Sequence, residues 1–147
     1  MTIAEGVLKD YKDTQYYDPA TTLLAKSYFK TGEKQKCFDT YMAYVNRHPD
    51  DPMALNSFAW FCASRQVFVD EALPIAIKMV ELANRDPGYL DTLAELYYAS
   101  GQFDLAIKTE QEAAEKDPSD SYFTNQIEKY KKAKQSAKQP DSRAQNQ

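Results

Sequence analysis

The chain has 147 residues, a formal net charge of −4, 43% hydrophobic residues, four glycines and two cysteines. That length suits one domain, and nowhere do the roughly 18–20 uninterrupted apolar residues needed to cross a bilayer occur. Sparse glycine, no long β-branched run and no Cys-x-x-Cys exclude a sheet-dominated fold and a thioredoxin-type motif within the sequence.

At the start, Ile3, Val7, Leu8 and Tyr11 are spaced as one face of a short amphipathic helix. Two readings are open: a cap over the next helix pair, or the last helix of a preceding unit. Residues 1–11 lack a basic region followed by an apolar one, so the default compartment is cytoplasmic, although a piece trimmed from a longer secreted protein would read the same. Next, helices are expected over 19–31 and 33–48, separated by Gly32, where a helix ends in the left-handed conformation that glycine adopts cheaply. The third helix carries Leu55-x-x-Phe58-Ala59-x-x-Cys62. No glycine ends it; residues 65–70 connect it to a helix expected from near Asp70, with Pro74 in or just after the first turn and a stripe of Ala72, Ala76, Met79, Val80 and Ala83. Helices over 88–100 and 102–116 flank Gly101. Phe123, Ile127 and Tyr130 then mark one face of a closing helix over 121–134, with Lys131, Lys132 and Lys134 at the negative end of its dipole. Residues 135–147 have no apolar side chain larger than alanine and are expected to be disordered.

These elements repeat. Leu24-Ala25-x-x-Tyr28-x-x-x-Gly32 and Leu93-Ala94-x-x-Tyr97-x-x-x-Gly101 share one register, as do Pro49 and Pro118, which gives units of 18–51, 52–86 and 87–120 with one extra residue in the middle unit. A period of about 34 residues marks an array of antiparallel helix pairs, each too small to bury its own apolar face. Terminal helices must then cover the exposed ends.

On these residues the chain resembles the tetratricopeptide repeat (TPR) family over about 18–120. The third repeat matches best, the first departs at Thr21 and Cys37, and the second is recognisable chiefly in its first helix. Glu110 stands where the family has a large apolar residue. The stretch 55–118 is also similar to TPR segments of bacterial chains that are sometimes fused to thioredoxin-like domains. The resemblance implies an all-α, right-handed superhelix of three antiparallel helix pairs with capping helices, serving as a non-catalytic scaffold for a peptide or partner protein.

It also implies where that partner would lie. The family's groove-facing positions fall here on Lys26, Phe29 and Lys30, then Asn56, Trp60 and Ser64, then Asp91, Glu95 and Tyr98. Such a surface is basic, then aromatic, then acidic, with Trp60 as the natural apolar anchor; the competing reading is that Trp60 and Tyr98 merely pack against neighbouring helices. Asp91 and Glu95 would repel the acidic chaperone tails that are the family's best-known ligands, so a neutral, basic or amphipathic ligand is expected. Another copy of the chain is a further candidate, through its basic segment 129–138. An accessory role in a longer thiol-redox or envelope protein is the alternative reading.

Other chemistries lack support. Residues 121–147 hold six basic and two acidic side chains, which leaves the remainder acidic and unsuited to nucleic acid. Cys37 and Cys62 read as buried thiols, with an inter-repeat disulfide the sharper alternative. His48, the one histidine, has no ligand spacing to either, so neither a metal nor another cofactor is expected. Asp91 and Glu95 at i, i+4 form the only carboxylate pair with catalytic character, and no nucleophile, phosphate loop or metal accompanies them.

Overall fold

The computed structural model describes residues 6, 9, 10, 12 and 15–138. The N-terminal stripe of Ile3, Val7, Leu8 and Tyr11, and residues 139–147 of the expected disordered tail, lie outside them. Over residues 15–138 the chain forms seven α-helices, and among the described residues there is no strand: α1 (Tyr17–Lys30), α2 (Lys34–Arg47), α3 (Pro52–Arg65), α4 (Val69–Leu82), α5 (Pro87–Ala99), α6 (Phe103–Lys116) and α7 (Ser121–Lys138).

The repeat is visible in how helices start and stop. Asp51, Asp86 and Asp120 each accept a hydrogen bond from the backbone N–H two residues on, at Met53 (2.9 Å), Gly88 (3.0 Å) and Tyr122 (2.8 Å). Each aspartate thereby satisfies a donor that the first turn of α3, α5 or α7 leaves spare, and prolines at 52 and 87 lose nothing there. At the other end, Gly32 (φ 84°) and Gly101 (φ 76°) stop α1 and α5. The N–H groups of Glu33 and Gln102 reach back to the carbonyls of Tyr28 and Tyr97, 2.8 Å in each case.

The middle connection makes the same turn without glycine. Val67 N–H bonds to Cys62 C=O at 3.1 Å, and Gln66 occupies the left-handed position at φ 53°. The additional residue of this repeat is absorbed by a second left-handed residue, Phe68 (φ 50°), immediately before α4. That helix opens at Val69, so Pro74 lies inside it and beyond the first turn, where it deletes one intrahelical hydrogen bond. The closing helix also differs from expectation: it continues past Lys134 to Lys138. Gln135, Ser136, Ala137 and Lys138 contain no helix breaker, and extending an anchored helix requires no new nucleus.

The chain divides into two compact units, residues 1–54 and 55–147. In the first, α1 packs on α2 and buries Leu24, Ala25 and Tyr28 with Cys37, Tyr41 and Val45. Asp18 Oδ2 meets His48 Nε2 at 2.7 Å, and the Arg47 guanidinium lies 4.0 Å from the centre of the Tyr17 ring. In the second unit α4 packs on α5, α5 on α6 and α6 on α7. Phe58, Met79, Leu90 and Leu96 are fully buried. Arg85 ties the α4–α5 connection to α6 through two parallel 2.6 Å bonds, Nε to Glu112 Oε1 and Nη2 to Oε2.

The buried stripe of α6 is Ala106, Glu110 and Ala113. Two small residues leave room for a large one, and the Tyr130 ring of α7 fills it, packed with Ala94 and Ala106. Phe123 and Ile127 complete the buried face of α7.

Candidate functional site

The expected groove residues fall into three settings. On α1, in the first unit, Lys26 and Lys30 are exposed and Phe29 is half-buried. On α3, Asn56, Trp60 and Ser64 follow at i, i+4 and i+8, so they share a face. Asn56 is half-buried, Ser64 is exposed with its hydroxyl turned back to Phe61 C=O at 3.2 Å, and Trp60 is 45% exposed. Its neighbours Phe58 and Ala59 are fully buried, so the chain's single tryptophan is presented outward from a packed helix.

The third setting is different. Asp91, Glu95 and Tyr98 of α5 are brought together, and α7 of the same chain engages them. Tyr122 Oη donates to Asp91 Oδ2 at 3.4 Å, and Gln126 Nε2 donates to Glu95 Oε1 at 2.8 Å. Lys129 Nζ forms an ion pair with Glu95 and lies 4.9 Å from the centre of the Tyr98 ring. Tyr98 packs on Tyr130, with ring centroids 5.2 Å apart. The Glu95 side chain is only 14% exposed as a result.

Beneath this layer lies Glu110 of α6, fully buried, with neither carboxyl oxygen meeting a donor. It sits within hydrogen-bonding reach of Asp91, whose Oδ1 likewise lacks a donor. The Tyr130 hydroxyl is buried beside Glu95 without a hydrogen bond of ordinary geometry. Burial, then the charges of Asp91 and Glu95, raise Glu110 to about 9, well above the carboxylate range. Burial and Glu95 raise Asp91 as well. Burial and Asp91 push Tyr122 up to about 12, and burial with Glu95 holds Tyr130 neutral far into alkali.

The sequence pointed to Asp91 and Glu95 but not to the residues that hold them. Glu110 was detectable as a carboxylate at a position requiring bulk, and the structure buries it between Ala106 and Ala113. Tyr122 and Gln126 carry no local signal, because their role depends on where α7 docks, and Lys129, expected to act from the basic segment 129–138 of another copy, meets Glu95 of its own chain.

Cys37 and Cys62 are both fully buried, and burial pushes the Cys37 thiol upward, away from the reactive thiolate. No group of three or more His, Cys, Asp or Glu residues among the described ones is arranged to hold a metal ion. No helix among them is long and apolar enough to cross a membrane.

No protein-family model matches the chain, and no curated protein matches it. Among solved structures, the NMR structure of the first TPR domain of the human RPAP3 protein is similar at a TM-score of 0.63 and 18% identity, covering 82% of this chain and 94% of that one. Together with the recurring caps and turns, that likeness gives this all-α chain the fold of a TPR-like helical repeat.

Proposed function

We propose that the chain is a non-catalytic protein-interaction module that holds a peptide or partner helix against the exposed face of α3, with Trp60 as the apolar anchor. The observation that carries this reading is the outward presentation of Trp60 at 45% exposure, between two polar residues of the same face, Asn56 and Ser64. A tryptophan in that setting gains a large apolar contact when a partner covers it. Lys26 and Lys30 are exposed on α1 of the first unit, whereas the face of Asn56, Trp60 and Ser64 is itself uncharged and suits a partner that brings an apolar side chain. An acidic segment meets less repulsion at the third repeat than its sequence suggests, because Lys129 already neutralises Glu95.

Catalysis by the Asp91/Glu95 pair is disfavoured by access. Tyr122, Gln126 and Lys129 stand against these carboxylates, and the raised pKa of Asp91 follows from burial. Self-association through segment 129–138 of another copy faces the same obstacle, since the chain's own Lys129 and Lys134 are paired with Glu95 and Asp104. A place as accessory module in a longer thiol-redox or envelope protein would rest on added domains, because the buried Cys37 thiol is unsuited to exchange.

The test is a lysate pull-down with the chain beside a Trp60→Ala variant shown by circular dichroism to be folded. A partner captured by the first and lost by the second, whose binding also shifts the emission of the single tryptophan, supports the reading. Equal capture by both refutes Trp60 as the anchor.

A further inference from the structure

The α5–α6–α7 cluster contains one feature that a passive capping helix does not need. Three carboxyl groups, Asp91, Glu95 and Glu110, converge where α7 covers α5 and α6, and one cation, Lys129, faces them. The titratable groups around Glu110 are Asp91, Glu95 and Tyr98 on α5 and Tyr122, Lys129 and Tyr130 on α7, with Gln126 as a neutral donor. All three carboxyls ionised would leave two uncompensated negative charges, one of them on the fully buried Glu110. One proton between Glu110 and the donor-free Oδ1 of Asp91 removes one of those charges. It also gives Glu110, and the Oδ1 atom of Asp91, the hydrogen bond they otherwise lack.

We propose that α7 is a proton-dependent latch: it stays docked on α5 and α6 while Glu110 is protonated, and ionisation of Glu110 loosens it. Undocking hydrates Glu110 and frees Asp91, Glu95 and Tyr98 from Tyr122, Gln126, Lys129 and Tyr130. The uncovered face is the third-repeat part of the expected partner surface, and that consequence rests on the interaction-module reading. The latch itself does not, since docking is measurable with no partner present.

The direction follows from linkage. A carboxyl group whose pKa is higher in the docked state stabilises docking fully below its hydrated value and loses that contribution as pH rises through the docked one. For Glu110 the interval runs from the ordinary glutamate range to about 9. Within it, the opening equilibrium of α7 should rise about tenfold per pH unit.

Amide hydrogen exchange of the full chain between pH 6 and 8.5, corrected for intrinsic rates, measures that opening helix by helix. The expected result is a steep loss of protection in α7 with rising pH, little change in α1 and α2, and no such slope in Glu110→Gln, which keeps a neutral donor to Asp91 at every pH. Unchanged α7 protection in the wild type, or an equal slope in Glu110→Gln, overturns the latch. Carbon-13 NMR titration of the Glu110 carboxyl in the unmodified chain provides a measurement that does not depend on the variant folding. A midpoint above pH 7 supports the proposal, and one in the ordinary carboxylate range overturns it.

Discussion

Exchanging the residues at two equivalent turns should change stability in opposite directions. Gly101 ends α5 at φ 76°, and a Cβ built there meets no atom within 4 Å. Gly101→Ala therefore introduces no clash, and its cost is torsional, roughly 1–2 kcal/mol for an L-residue in the left-handed region. Against this, alanine lowers the entropy of the unfolded chain, which returns roughly 0.4–1 kcal/mol. The net expectation is a loss of about 1 kcal/mol. Gln66 makes the corresponding turn after α3 at φ 53° and is exposed, so Gln66→Gly relieves the same torsion and gains a few tenths to about 1 kcal/mol. Urea unfolding followed by circular dichroism reads both differences, and thermal midpoints should move by about 2–4 °C per kcal/mol. Stabilisation by Gly101→Ala, or destabilisation by Gln66→Gly, would refute the assignment of equivalent strain to the two turns.

Three further substitutions probe packing and charge. Leu93, 5% exposed on α5, should cost roughly 2–5 kcal/mol when truncated to alanine, read as a lower urea midpoint. Enlarging Ala94 to leucine forces the α5–α6–α7 contact against Ala106 and Tyr130 and should cost roughly 1–3 kcal/mol by the same measurement. Arg85→Ala removes the bidentate pair with Glu112, but both partners retain about a third or more of their exposure, so the loss should stay near 0.5–1 kcal/mol and shrink in high salt. Arg85 holds Glu112 below its ordinary range, so this contribution is present above the unfolded glutamate pKa and fades as acid protonates the pair. Equal losses at pH 7 and pH 2 would contradict that origin.

The all-α class was legible because its signals are local and repeat. Apolar spacing marks the buried faces of Leu24, Phe58 and Leu93, and glycine marks two of the turns. The left-handed residues Gln66 and Phe68 were not legible, since a side chain tolerates that conformation only when surrounding helices fix it, and those constraints are tertiary. Lys134 as the end of α7 was misplaced for a different reason. Low hydrophobicity removes packing energy but not helix propensity, and lysine, glutamine and alanine extend an existing helix readily. At the candidate site, the type and spacing of Asp91 and Glu95 stood out, whereas their occupation by α7 depends on docking between helices some thirty residues apart, as in the 31-residue separation of Gln126 from Glu95.

The two classes of shifted carboxylate determine where stability should peak. Glu112 and Asp104, paired with Arg85 and Lys134, lie below their ordinary values, so their contributions appear as pH rises through the acid range and are complete above it. Asp104 is exposed and Glu112 about a third exposed, so both are screened, which keeps that ascent shallow. Glu110 has the opposite sign. It is fully buried and raised to about 9, so its contribution declines from the ordinary glutamate range upward, with a limiting slope of about 1.4 kcal/mol per pH unit. A shallow ascent followed by a steeper fall places the maximum in mildly acidic solution, below neutrality. Thermal midpoints measured from pH 3 to 9 should therefore peak near pH 5 and decline toward pH 8. In Glu110→Gln the decline should be largely removed and the maximum moved to higher pH. A wild-type maximum at or above pH 7 would mean that the buried carboxyl is solvated or paired in a way these contacts do not provide, and the proton between Glu110 and Asp91 would have no role in holding α7 in place.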